Sequence, residues 1–115
     1  MKKNKLFLLH LIYFMASSVM ATIHTVNAGS YYYSPSALTI DQGDTAKWIN
    51  DGGTHDVNAA INSQTSMSFN NPVSFQSSAT SSVGAVIYTY IFTVPGTYTY
   101  AVSYTHLTLP TILLV

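Results

Sequence analysis

Few side chains in this sequence can do chemistry, and most of those that can are imidazoles and carboxylates. There are four histidines, four acidic residues and no cysteine. An imidazole can ligate a metal or move a proton near neutral pH. His10 lies in an apolar N-terminal run, His24 in an alternating strand pattern that reads as surface, and His106 in the C-terminal tail. His55 differs from these because it follows Asp51-Gly52-Gly53-Thr54, a loop. Taken alone it supports two readings, a metal ligand or a polar loop histidine. Asp56 beside it reads equally as support for a ligand loop or as a solvated carboxylate. No Ser/His/Asp triad can be assembled by spacing, no paired carboxylates flank a pocket, and no glycine-rich phosphate loop is present, so an enzyme is not expected. Without cysteine there is neither a disulfide nor a thiolate metal ligand in the chain as written.

The first residues read as an address. Lys2, Lys3 and Lys5 form a basic region, Leu6 to Met15 an apolar run closed by Ser17 and Ser18, and Val19-Met20-Ala21 a small-residue cleavage signal. Residues 1–21 are therefore expected to be a secretory signal peptide. The run is short for a membrane span, so the protein is expected to be secreted, to the periplasm or outside the cell. Cleavage would leave Lys47 facing Asp41, Asp44, Asp51 and Asp56. A mildly acidic, arginine-free domain has no electrostatic footprint for nucleic acid.

Beyond the signal, Tyr, Thr, Val, Ile and Ser dominate, a composition of strands. Ile23 to Val26 alternates and Ala28-Gly29-Ser30 supplies a turn. Pro35 breaks any strand through Tyr31–Ile40 or confines it to an edge. Two strands are expected to meet at Asp41-Gln42-Gly43-Asp44. Thr45 to Asn50 puts Ala46, Trp48 and Asn50 on one face, with Trp48 as core anchor. Val57 to Ile61 reads as a short strand, and Asn62 to Ser82 as irregular with Phe69 and Phe75 as anchors. Gln76 to Ser82 reads as a surface loop. Val86 to Val94 is the strongest strand, with Val86, Tyr88, Tyr90 and Phe92 sharing a face; Pro95-Gly96 then turns it into a hairpin with Thr97 to Tyr100. The tyrosines at 31–33, 88, 90, 98 and 100 suit strand packing, with a sugar-binding platform as the other reading. The fold class expected is all-β, a Greek-key β-sandwich.

Several pieces stand in a telling order: Leu38-Thr39-Ile40, Gly43-Asp44-Thr45, Trp48-Ile49-Asn50, Thr54-His55-Asp56-Val57-Asn58, then Phe92 to Tyr100. Over about residues 22–100 this order and spacing resemble the cupredoxins, the plastocyanin/azurin family of blue-copper proteins. The resemblance implies copper as cofactor, redox proteins as partners, and His55 as the first ligand. It further implies a Cys, a second His and usually a Met in one tight loop after the Thr97–Tyr100 strand, before a closing strand.

The chain departs from that pattern after Tyr100, where neither Cys nor Met occurs; Val102 stands about where Cys is expected, and His106 follows at a spacing that mimics the second ligand. Residues 102–111 can be written codon for codon as GTC TCT TAT ACA CAT CTG ACG CTG CCG ACG, the adapter of transposase-based sequencing libraries. The adapter's preceding CT suits Ala101. Its continuation, A, a variable index and GTGTAG, gives an A-initial codon, two free codons, GTG and a stop, matching Ile112, Leu113, Leu114, Val115 and the chain end. The expectation is that residues 101–115 are a non-native tail replacing the copper loop and closing strand, and that the apolar stretch from Leu107 can lie in the vacated strand position. The parent protein is then expected to transfer single electrons through a type 1 copper site that this chain does not complete. A copper-delivery protein and a copper-free β-sandwich binding or adhesion module are the alternatives.

Overall fold

The computed structural model describes residues 20–101 and 111–115. The part of the expected signal peptide up to residue 19, Val102 and His106 therefore lie outside the described residues. Among the described residues nine strands are formed: β1 (Ile23–Gly29), β2 (Tyr32–Ser34), β3 (Ala37–Ile40), β4 (Thr45–Asn50), β5 (Ile61–Asn62), β6 (Met67–Ser68), β7 (Val86–Ile91), β8 (Gly96–Thr99) and β9 (Thr111–Leu114). One sheet has the order β2-β1-β4-β7 and the other β3-β9-β8, with β5-β6 a small separate hairpin. The β-sandwich expected from composition is the fold observed. No helix among the described residues is long and apolar enough to cross a membrane.

Alternation decides which side chains meet between the sheets. Along β4, Ala46, Trp48 and Asn50 are buried while Thr45, Lys47 and Ile49 are only partly covered, so the face expected for this strand is the buried one. Val26 and Ala28 of β1 face the same core as Ile40, Tyr98, Ile112 and Leu114 of the other sheet. Trp48 is fully enclosed, with Tyr100 edge-on at 5.3 Å and Phe75 at 6.1 Å between ring centroids. Each large apolar side chain so buried contributes about 1.5–3 kcal/mol from removal of its surface from water.

Three expectations fail at the connections. Pro95-Gly96 does not close a hairpin: β7 pairs with β4, and β8 pairs with β9 in the opposite sheet. The turn carries the chain from one sheet to the other, and Tyr98 fastens it by donating its hydroxyl to the Val94 carbonyl at 2.6 Å. The Asp41–Asp44 turn is where β3 and β4 meet, as expected, and it too carries the chain between the sheets.

Val57 to Ile61 is not one strand: the chain is irregular up to Ala60, and only Ile61 belongs to a strand, β5. The Asn58 side-chain oxygen accepts from the backbone N–H groups of Ala60 and Ile61, both at 3.0 Å, folding the chain locally where a ladder would need it extended. Asn58 keeps only single bridges to Gln76 and Ala101.

Val86 also leaves the face assigned to it. The register with β4 shifts between Trp48 and Ile49, so Ile87 is buried and Val86 is exposed. Tyr88, Tyr90 and Phe92 do turn inward.

The tyrosines divide rather than forming one platform. Tyr33, Tyr98 and Tyr100 are core, Tyr88 and Tyr90 pack against it, and Tyr31 and Tyr32 are exposed. Phe75 is a buried anchor, stacked on Tyr90 at 4.1 Å. Phe69 is only partly covered.

Ile112 and Leu114 of β9 point into the core while β9 pairs parallel to β3 and antiparallel to β8. An alternating apolar stretch satisfies both strand edges it meets there, whatever its origin.

Candidate metal centre

The site begins where β4 ends. Asn50 is fully buried, and an amide with no access to water must find partners inside the protein. Its side-chain oxygen accepts from Gly52 N–H at 3.0 Å, and its amide nitrogen donates to the carbonyls of Gly53 at 2.9 Å, Ser82 at 3.2 Å and Thr80 at 3.3 Å. One side chain thereby folds the loop after β4 and ties it to the segment before β7. That tie holds His55, whose backbone exchanges two hydrogen bonds with Thr80, at 3.0 and 2.9 Å.

The His55 ring is 2 % exposed, so its nitrogens depend on the protein. Nε2 lies 2.6 Å from the Gly52 carbonyl oxygen. A carbonyl only accepts, so Nε2 carries the hydrogen in the neutral ring and Nδ1 keeps a bare lone pair. Nδ1 is buried and, among the described residues, has no hydrogen-bond partner. This is the arrangement a metal-bound imidazole has, with one nitrogen free to ligate and the other fixed by a carbonyl. His55 therefore fits one copper donor position. The chain has no cysteine and so no thiolate donor, and no group of three potential ligands occurs among the described residues.

His24 belongs elsewhere. It sits opposite Ala46 near the start of β4, whereas His55 follows that strand's end, and its Nε2 pairs with Asp44 Oδ2 at 2.8 Å. Asp56 is 4 % exposed, which overturns the solvated-carboxylate reading, and its backbone carbonyl accepts from the Tyr33 hydroxyl at 3.2 Å. Tyr32 approaches the same loop from β2, donating to Asp51 Oδ2 at 2.5 Å; that bond to a carboxylate raises its pKa above the usual phenol value.

Sequence reading missed two parts of this site. Gln76 to Ser82 is more than a surface loop: Thr80 forms the backbone bridge to His55, and the Ser77 hydroxyl accepts from Val57 N–H at 2.8 Å. Asn50 was legible as a buried-face residue but not as the organiser of the loop. Its signal was an asparagine directly before Asp51-Gly52-Gly53, a position where an amide side chain commonly bonds the backbone two residues on.

Comparison with known proteins bears on the family and the fold. The model of the copper binding proteins of the plastocyanin/azurin family matches residues 20–111. A purple cupredoxin from Nitrosopumilus maritimus is similar at 20% identity and a TM-score of 0.59, over 79% of this chain and 98% of that one. A reduced, Cu(I) form of an amicyanin variant is similar at 20% identity and a TM-score of 0.62, over 87% and 88%. A copper-containing nitrite reductase from Thermus scotoductus is similar at 21% identity and a TM-score of 0.62 over 84% of this chain, which spans only 22% of that enzyme. No curated protein matches the chain.

Proposed function

This chain belongs to the plastocyanin/azurin family of copper binding proteins, and from that premise we propose that its parent gene encodes a secreted blue-copper protein that carries single electrons between larger redox proteins. The observation that carries the reading is the buried, unpartnered Nδ1 of His55, held open by the Nε2 bond to Gly52. His55 is one imidazole ligand of the copper. A type 1 centre set by thiolate and imidazole donors supplies a reduction potential suited to electron transfer. What the described residues contribute is rigidity: Asn50 and Thr80 fix the ligand loop, so the ring has little freedom to move.

The other ligands belong to the stretch that residues 101–115 replace. Support for that replacement is the codon-by-codon agreement with a library adapter, including the residues on either side of the match. The parent is assigned as an electron carrier rather than an enzyme, acting in the periplasm or outside the cell after removal of residues 1–21. The leader pattern supports the location, and the family supports the role of carrier.

Recovering the uninterrupted gene is the experiment. A Cys and a His soon after the Tyr100 codon, followed by a Met, would bear the proposal out. An open reading frame continuing without them would overturn it in favour of a copper-free binding module.

A further inference from the structure

At the start of β4, away from His55, one carboxylate gathers three donors. Asp44 is 5 % exposed. Its Oδ1 accepts from the Thr22 backbone N–H at 2.9 Å, and its Oδ2 meets His24 Nε2 at 2.8 Å and Asp41 N–H at 3.2 Å. The Thr22 carbonyl accepts from Thr45 N–H at 2.9 Å, so residue 22 is held on both sides before β1 begins. The chain just before it is open to solvent: Met20 is 86 % exposed, and Ala21 and Thr22 are also exposed. Met20 and Ala21 are the last two residues of the Val19-Met20-Ala21 cleavage pattern.

We propose that hydrolysis of the Ala21–Thr22 bond converts the Thr22 nitrogen into an α-ammonium that is already seated on the Asp44 carboxylate, so that removal of the leader itself locks the first strand onto the sandwich. A leader peptidase supplies the catalysis and water the atoms. The water oxygen remains on Ala21 as part of its new carboxylate, and the released Thr22 amine takes up a proton. A neutral amide donor becomes a charged one at the same position, and charge-assisted hydrogen bonds are roughly twice as strong as neutral ones. Asp44 is ready for the change. Its carboxyl is already held below the ordinary range, first by the Thr22 N–H and then by His24. The new ammonium thus meets Asp44 Oδ1, while Oδ2 of the same carboxylate is shared by the His24 ring and the Asp41 backbone N–H. This inference rests on the secretion part of the proposed function.

The test expresses the full chain in an export-competent bacterium and determines the intact mass of the exported product. The acetylation rate of its α-amino group is then followed against pH, both folded and in guanidinium. A product beginning at Thr22 is expected. Its folded amine should titrate higher than in denaturant, acetylating about tenfold more slowly at about pH 6, well below both midpoints, for each unit by which Asp44 raises its pKa. Asp44→Asn should abolish the difference. If that variant fails to fold, the folded-against-denatured comparison still decides, because an ion pair moves the pH midpoint whereas simple shielding lowers the plateau rate. A product that does not begin at Thr22 overturns the secretion reading together with this one. A product that begins at Thr22, with the same midpoint folded and denatured, overturns this inference alone.

Discussion

The Nε2 of His55 donates to the Gly52 carbonyl across 2.6 Å, three residues back along the same loop. That bond fixes the tautomer and leaves Nδ1 as a buried acceptor without a donor. Leaving such a group unmet costs about 1–3 kcal/mol, a penalty that a ligand at Nδ1 removes. The loop therefore stores an unmet demand at one atom.

Keeping the Gly52 carbonyl in place requires an unusual backbone at Gly53, where φ is +82° and an added Cβ would lie 3.2 Å from His55 Nε2. Gly53→Ala is expected to destabilise the fold by about 1–2 kcal/mol from the left-handed conformation and also to displace the imidazole. Gly43→Ala is the control, because φ is +93° there but nothing lies within 4 Å of the added Cβ. Nitrogen chemical shifts of the His55 ring should change in the first variant and stay as they are in the second. Equal shifts in both would contradict the proposed contact.

Asn50→Ala should be the most damaging polar substitution near the site. It strands the Gly52 N–H and removes the donor shared by the carbonyls of Gly53, Thr80 and Ser82. A loss of about 2–3 kcal/mol in urea denaturation is expected, together with faster amide exchange at Gly52. A variant as stable as the original would show that the loop holds itself.

At high pH the buried tyrosines should unfold the protein. Burial pushes the Tyr100 hydroxyl up to about 12, and burial, then Tyr100 and Asp56, push Tyr33 higher still. Both are protonated in the fold, whereas a tyrosine in the unfolded chain ionises at about pH 10. Their stabilising effect is complete below about pH 10 and is lost as pH rises towards about 12. Denaturation midpoints should be flat up to about pH 10 and fall beyond it. Tyr33→Phe should flatten the fall at a neutral-pH cost of about 0.5–1.5 kcal/mol for its bond to Asp56.

Strand faces were legible in the sequence wherever one periodicity ran unbroken. Thr45 to Asn50 shows this, since alternate residues there meet the core and the remainder lie towards the outside. Legibility failed where a local event reset the count. The register shift beside Trp48 exchanged Val86 for Ile87, and the Asn58 side chain outcompeted a ladder. Pro95-Gly96 looked like a hairpin because a turn signal does not say which sheet receives the next strand. At the site, His55 could be picked out from the order of the surrounding motifs. Its burial, its tautomer and its ties to Asn50 and Thr80 depend on segments that meet only in three dimensions.

Cu(II) titration of the protein expressed from the recovered gene, followed by visible absorption, tests the central claim most directly, with His55→Ala and the present chain measured beside it. The account predicts an intense thiolate-to-copper band in the recovered protein, a lost or strongly altered band in His55→Ala, and no such band in the present chain, which has no thiolate. An intense band that survives unchanged in His55→Ala, or one given by the present chain, would contradict it.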